Sequence, residues 1–181
     1  MNLNMDLLFS ISDMNEHFPL VYTLLNGGKR VAELGVGKGI LTDIILSTNP
    51  TSYCGCDHRY DDTIKSTVQR AKSYCESNNA KFWFEQCDSR VFDILDSDIL
   101  IIDTFGHNRL VYSELYNHSP YISEYILIHD TEVYGEISES RDDRGLNYGI
   151  ECFLAGTDKW ELIYKYKHNN GLTVLKRVKP E

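Results

Sequence analysis

The sequence predicts an α/β fold, a mostly parallel and doubly wound sheet that finishes in an antiparallel C-terminal hairpin. Three observations carry this. Short apolar runs alternate with amphipathic segments from Arg30 to Glu85, the pattern of strands and crossover helices. Two uninterrupted apolar runs, Ile99–Ile102 and Tyr125–Ile128, have the composition of central strands covered on both faces. The last two strand-like runs are joined by only His168-Asn169-Asn170-Gly171, where Asn-Gly signals a tight hairpin.

Each element follows in order. Phe18, Val21, Leu24 and Leu25 recur at helical spacing between Asp13 and Asn26, and Gly27-Gly28 stops them, so residues 1–28 form a helical lead-in. The alternation then reads as strand Arg30–Leu34, helix Ile40–Ser47, strand Ser52–Asp57, helix Asp62–Ser77 and strand Lys81–Glu85. The run Ile99–Ile102 ends at Asp103, and Tyr125–Ile128 ends at His129-Asp130. Thr131–Tyr148 holds Glu132, Glu136, Glu139, Arg141, Asp142, Asp143 and Arg144 with little apolar periodicity. It reads as a solvated, mobile loop, placed so that it can fold over a substrate as a lid. Trp160–Lys167 and Leu172–Val178 form the hairpin. With no repeat, no low-complexity tract and no linker, residues 1–181 read as one domain.

A net charge of −9 and the lack of a basic stripe argue against nucleic acid as a partner. No apolar run approaches the ~18 residues of a membrane span. The opening Met-Asn-Leu-Asn-Met-Asp lacks the positive start of a signal peptide, so a cytoplasmic location is expected. The five cysteines are odd in number and form no paired C-x-x-C ladder, which favours reduced thiols over a zinc site. Cys54 and Cys56 flank Gly55 in a strand and share one face, as packing residues do.

Chemistry gathers at the strand ends. Glu33-Leu34-Gly35-Val36-Gly37-Lys38-Gly39 is a G-x-G-x-G turn between the first strand and its helix, where bare backbone lets a ligand approach. The same glycines also suit a purely structural turn. Asp57 ends the next strand, 22 residues after Gly35, the offset of an acid that accepts from ribose hydroxyls or else caps a helix. Asp88 follows the third strand and faces either the adenine end of a nucleoside or solvent. With Asp103 and Asp130, four acids stand at successive strand ends, and such crowding calls for a ligand or cation among them. The spacing departs from G-x-G-x-x-G, and no G-x-x-x-x-G-K-S/T is present, so NAD and ATP are runners-up.

These residues resemble the class I S-adenosylmethionine-dependent methyltransferases, whose first motif is similar to Glu33–Gly39 and whose seven-stranded Rossmann-like sheet ends in an antiparallel strand. Ile102-Asp103-Thr104-Phe105-Gly106-His107, Ser119-Pro120, Ile128-His129-Asp130-Thr131 and Asn169-Asn170-Gly171-Leu172-Thr173-Val174-Leu175 narrow this. They resemble the sugar and macrolide O-methyltransferases and the cephalosporin hydroxylase-like group, and the similarity runs from Val31 to Arg177. The resemblance implies that Glu33, Gly35, Gly37 and Gly39 line the methionine part of the cofactor and that Asp57 holds its ribose. It also implies a divalent metal, usually magnesium, on Asp103, His129 and Asp130. Two departures stand out. His129 occupies a position where some members carry an acid, which favours a softer ion or leaves Mg²⁺ with fewer carboxylates, and Glu124-Tyr125 stands where a Gly-Gly turn is common.

The chemistry then expected is in-line attack of a substrate hydroxyl on the sulfonium methyl, with a metal on Asp103 and Asp130 orienting the hydroxyl. His107 is the candidate general base, with a solvated loop histidine as the plainer reading. Tyr112, Tyr116, Tyr121, Tyr134 and Tyr148 either stack against the acceptor or pack structurally. The expected acceptor is a small hydroxylated molecule such as a sugar or glycoside. A cofactor-binding protein without catalysis, a hydroxylase-like relative and a nicotinamide-dependent oxidoreductase are the alternatives, and association between copies of the chain is left open.

Overall fold

A computed structural model describes residues 14–179. The lead-in before residue 14 lies outside the described residues. The sheet comprises β1 (Arg30–Leu34), β2 (Ser52–Asp57), β3 (Lys81–Gln86), β4 (Ser97–Ile102), β5 (Ile122–His129), β6 (Trp160–Tyr166) and β7 (Leu172–Arg177). Its helices are α1 (Phe18–Leu25), α2 (Ile40–Ser47), α3 (Asp62–Ser77), α4 (Asn108–His118) and α5 (Leu146–Ala155). Strand order is β3-β2-β1-β4-β5-β7-β6, seven strands in all. The first five are mutually parallel, while β7 runs antiparallel to both β5 and β6.

Period-two alternation on the central strands divides the core into two layers. Ala32, Leu34, Leu100, Ile102, Ile126 and Ile128 pack against Val111 and Leu115 of α4 and Leu146, Ile150 and Phe153 of α5. Val31, Ile99, Ile101 and Leu127 face the other way, against Phe18, Val21 and Leu25 of α1, Ile44 and Ile45 of α2, and Ala71 and Cys75 of α3. Cys54 and Cys56 are buried together in the first layer, and all five cysteines are free thiols. Among the described residues no helix is long and apolar enough to cross a membrane.

The structure departs from the sequence reading in three places. The lead-in helix begins with a 3₁₀ turn at Asn15–His17, and α1 proper starts at Phe18 with Pro19 in its first turn, where a missing N–H costs nothing. Strand β5 starts at Ile122, so Glu124 and Tyr125 lie in extended backbone with no Gly-Gly turn there. The Glu124 carboxylate takes the Lys29 ammonium at 2.6 Å, a polar contact invisible to an apolar-run criterion. Thirdly, 131–145 is tied down. Ile137 bridges Arg144, Ser138 is buried, Glu132 and Val133 donate their N–H groups to Asn170 O, and Glu139 donates to Gly106 O. Turn hydrogen bonds hold this segment without any periodic apolar face, which is why its order is not written in hydropathy. Helix α5 then takes up Leu146–Tyr148.

Candidate functional site

Chain order reverses between β1 and β4, and the crevice outside the carboxyl ends of strands at such a switch point is where open α/β sheets hold ligands. A cleft of about 1190 Å³ lies there. Gly35, Gly37, Gly39, Asp57, Asp88, Asp103, His107 and Asp130 all line it, so the structure brings together most of the residues singled out in the sequence.

The three glycines serve different needs. Gly35 has φ +88°, and a Cβ there would sit 2.0 Å from Asp103 O, so this turn lets β1 and β4 close on each other. Gly39, the N-cap of α2, packs against Thr67 of α3. Gly37, at φ +52°, would place a Cβ in open space, leaving the bare backbone a ligand needs. Its N–H donates to Asp57 Oδ2 at 2.9 Å, while Asp57 Oδ1 accepts from Arg59 N at 2.9 Å. The Asp57 side chain is almost wholly buried, so it pins the glycine loop while keeping the remaining lone pairs of a carboxylate at the cleft wall. Asp88 caps the 3₁₀ turn Ser89–Val91 and pairs with Arg90 through three charge-assisted contacts. The Arg90 guanidinium holds the Asp88 carboxyl down to about 2.

Glu33 stands apart from the cleft. Strand alternation turns it under α2, where it is fully buried and its Oε2 accepts from Thr42 Oγ1 at 2.8 Å and Tyr53 Oη at 2.6 Å. Its Oε1 has no hydrogen-bond partner among the described residues, and burial pushes the carboxyl up to about 8. The acid of the first motif is thus a structural tie between β1, β2 and α2, and the expectation that it lines the cofactor's methionine end is corrected: its hydrogen bonds run into the core.

At the other side of the switch point, Asp103, His129 and Asp130 each offer a donor atom, all within 4.8 Å of one another. His129 Nδ1 lies 3.0 Å from Asp103 Oδ1 and 3.4 Å from Asp130 Oδ1. Asp130 has φ +62°, a left-handed backbone that a non-glycine residue adopts at a cost and that commonly marks a working position. His107 is the N-cap of α4, and its Nδ1 accepts the Arg109 N–H at 3.2 Å. The neutral ring therefore carries its proton on Nε2, which faces Asp143 Oδ2 at 3.8 Å. The lone pair that a general base needs is already taken.

Among solved structures, the chain is similar to a Burkholderia thailandensis 1,6-didemethyltoxoflavin-N1-methyltransferase bound to S-adenosylhomocysteine. The identity is 12% and the TM-score 0.69, over 96% of this chain and 82% of that one. It is also similar to a caffeoyl-CoA O-methyltransferase-like protein of Staphylococcus aureus, at 14% identity and a TM-score of 0.67, over 97% and 93% of the two chains. A third is the magnesium protoporphyrin IX methyltransferase of Synechocystis with bound S-adenosylmethionine, at 10% identity and a TM-score of 0.63, over 91% and 80%. The chain has the class I methyltransferase fold. No family model matches the sequence, and no curated protein matches it.

Two features of this methyltransferase fold escaped the sequence reading. Glu114 of α4 is fully buried beneath the cleft, where its carboxylate accepts from Ser89 Oγ at 2.5 Å and Thr104 Oγ1 at 3.1 Å. It lies on the helix face of Val111, Leu115 and His118, so an acid on an apolar stripe was the available signal. Glu139, from the segment 131–145, reaches the cleft and accepts the Gly106 N–H at 3.1 Å. None of the five tyrosines lines the cleft. Tyr112 and Tyr116 stack on each other, Tyr148 lies under Arg144, and Tyr134 packs on the first core layer.

Proposed function

We propose that this chain is an S-adenosylmethionine-dependent methyltransferase that methylates a hydroxyl of a small acceptor such as a sugar or glycoside. One observation carries the reading: the open backbone at Gly37, locked by Asp57, faces the same cleft as Asp103 from the adjacent strand. A nucleoside seated along β1 and β2 then has its reactive end beside Asp103. When bound, the sulfonium supplies an electrophilic methyl group.

The residues of the chain do the rest. Gly37 and its neighbours give the close approach, Asp57 accepts from the ribose hydroxyls, and Asp88 lines the same cleft. Asp103 receives the acceptor's proton, since it lines the cleft and has a second carboxylate oxygen beyond the one near His129. His107 acts as the cap that fixes the start of α4. Two carboxylates and an imidazole within 4.8 Å fit a divalent ion, so Asp103, His129 and Asp130 would hold Mg²⁺ or a softer relative. Such an ion would lower the pKa of a bound hydroxyl. The net charge of −9 supports a small acceptor over nucleic acid, and five free thiols support a reducing, cytoplasmic setting.

Isothermal titration with S-adenosylmethionine and S-adenosylhomocysteine is the first test, and no heat with either ends the proposal. Transfer of a labelled methyl to a panel of hydroxylated acceptors is the second. Cofactor binding without transfer to any of them would leave a cofactor-binding protein.

A further inference from the structure

Glu114 sits beneath the cleft and reaches two of its walls. Ser89 belongs to the turn after β3 and Thr104 to the loop after β4, and both residues line the cleft. Both hydroxyls donate to the one carboxylate, Ser89 Oγ to Oε1 and Thr104 Oγ1 to Oε2. A hydroxyl has a single hydrogen. With that hydrogen committed inward, what Ser89 and Thr104 can still offer a ligand is lone pairs alone. The turn bearing Ser89 is held from two further points, since Ser89 O lies 2.6 Å from His118 Nε2 and Arg90 O accepts from Asn117 Nδ2 at 2.8 Å. Its orientation is therefore fixed by α4 on three residues, Glu114, Asn117 and His118.

We propose that Glu114 is a positioning residue for specificity: it fixes Ser89 and Thr104 as acceptor-only groups, so that the cleft selects a nucleoside carrying an N–H donor beside Ser89. This rests on the methyltransferase reading above, with the adenine end of the nucleoside set at the turn after β3 that carries Asp88 and Ser89. The donor in question is the exocyclic amine of adenine. A base with a carbonyl at that position would bring oxygen lone pairs against those of Ser89, an unpaired contact in a partly buried site. Asp88, the neighbouring acid, is paired with Arg90, and Ser89 adds an uncharged acceptor on the same turn.

The test compares the affinities of S-adenosylhomocysteine and S-inosylhomocysteine, which differ only in that amine becoming a carbonyl. It is run at pH 8.5, where Glu114, pushed up to about 7 by burial, is ionised. The wild type is expected to prefer the adenine form by about tenfold or more. Glu114→Leu, which frees both hydroxyl hydrogens, should shrink that ratio at least about fivefold, and Ser89→Ala, on a half-exposed turn, should do the same if the first variant fails to fold. A role confined to packing would lower both affinities together and leave the ratio alone. A ratio in Ser89→Ala within about twofold of wild type overturns this proposal while the methyltransferase reading stands. Failure of the wild type to bind either nucleoside overturns both.

Discussion

Glu33 and Glu114 are fully buried carboxyls, and burial raises both, to about 8 and about 7. The sign follows from linkage. The folded chain keeps a proton on Glu33 where the unfolded chain has lost it, so this stabilisation is complete below the ordinary carboxylate range and fades as pH rises towards 8. Glu33→Gln removes that slope and keeps a carbonyl for Thr42 and Tyr53. Between pH 5.5 and 8 the wild type should lose on the order of 3 kcal/mol relative to the variant, at about 1.4 kcal/mol per unit. Denaturant unfolding at the two pH values checks it, and parallel curves would mean that Glu33 is ionised in the fold. On the proposed function, catalysis is divided differently. Asp103→Asn should cut turnover about a hundredfold or more with cofactor affinity nearly intact, whereas His107→Gln should cost less than about tenfold. Methyl-transfer rates beside calorimetric affinities decide, and a reversed order returns the base to His107.

The loop between β1 and α2 shows how one motif carries unlike demands. At Gly35 a methyl group would drive into the Asp103 carbonyl at 2.0 Å, so Gly35→Ala must part β1 from β4 at the floor of the cleft. At Gly37 the same methyl meets nothing within 4 Å and pays only for a left-handed backbone, about 1–2 kcal/mol. Gly37→Ala should therefore fold and melt a few degrees low, yet bind S-adenosylhomocysteine at least about tenfold more weakly, because the methyl occupies the ligand's approach. Thermal melts and calorimetry on both variants separate the two roles, and unimpaired binding by Gly37→Ala would move the nucleoside off this loop. The strands and helices from Arg30 to Gln86 were legible because their apolar spacing is periodic and their ends carry caps, as Asp61 does for α3. The order of 131–145 was not, since its bonds run between backbone groups and partners distant in sequence, Gly106 and Asn170. Residue type likewise marked Asp57 and Asp103 at strand ends, but which lone pair of His107 is spent, and which way Glu33 points, are facts of packing.

On the scale of the molecule, the two core layers leave the sheet with unlike ends. At the amino ends of the parallel strands, Lys29–Glu124 and Arg30–Asp98 close the rim with ion pairs, Ser123 adding a hydrogen bond to Asp98. At the carboxyl ends the acids Asp57, Asp88, Asp103 and Asp130 converge instead, and the crevice stays open. The antiparallel hairpin β6–β7 sits on the far side of β5, and its tip meets the start of 131–145 through Asn170. Ligand binding should thus stabilise the chain from one end. At a hundred times its dissociation constant, S-adenosylhomocysteine adds about 2.7 kcal/mol by mass action, a rise of roughly 5–10 °C in melting temperature for a chain of this size. The local signature is more telling than the melt. Amides of 35–39, 57–59, 88–90 and 103–107 lie on the crevice and should slow in hydrogen exchange when the nucleoside is added. Those of 160–166, on the outer edge strand, should be unchanged at exchange times short of global unfolding. Protection that appeared first along that edge would place the ligand outside the switch point, and the open backbone at Gly37 would then be a turn with no cofactor to serve.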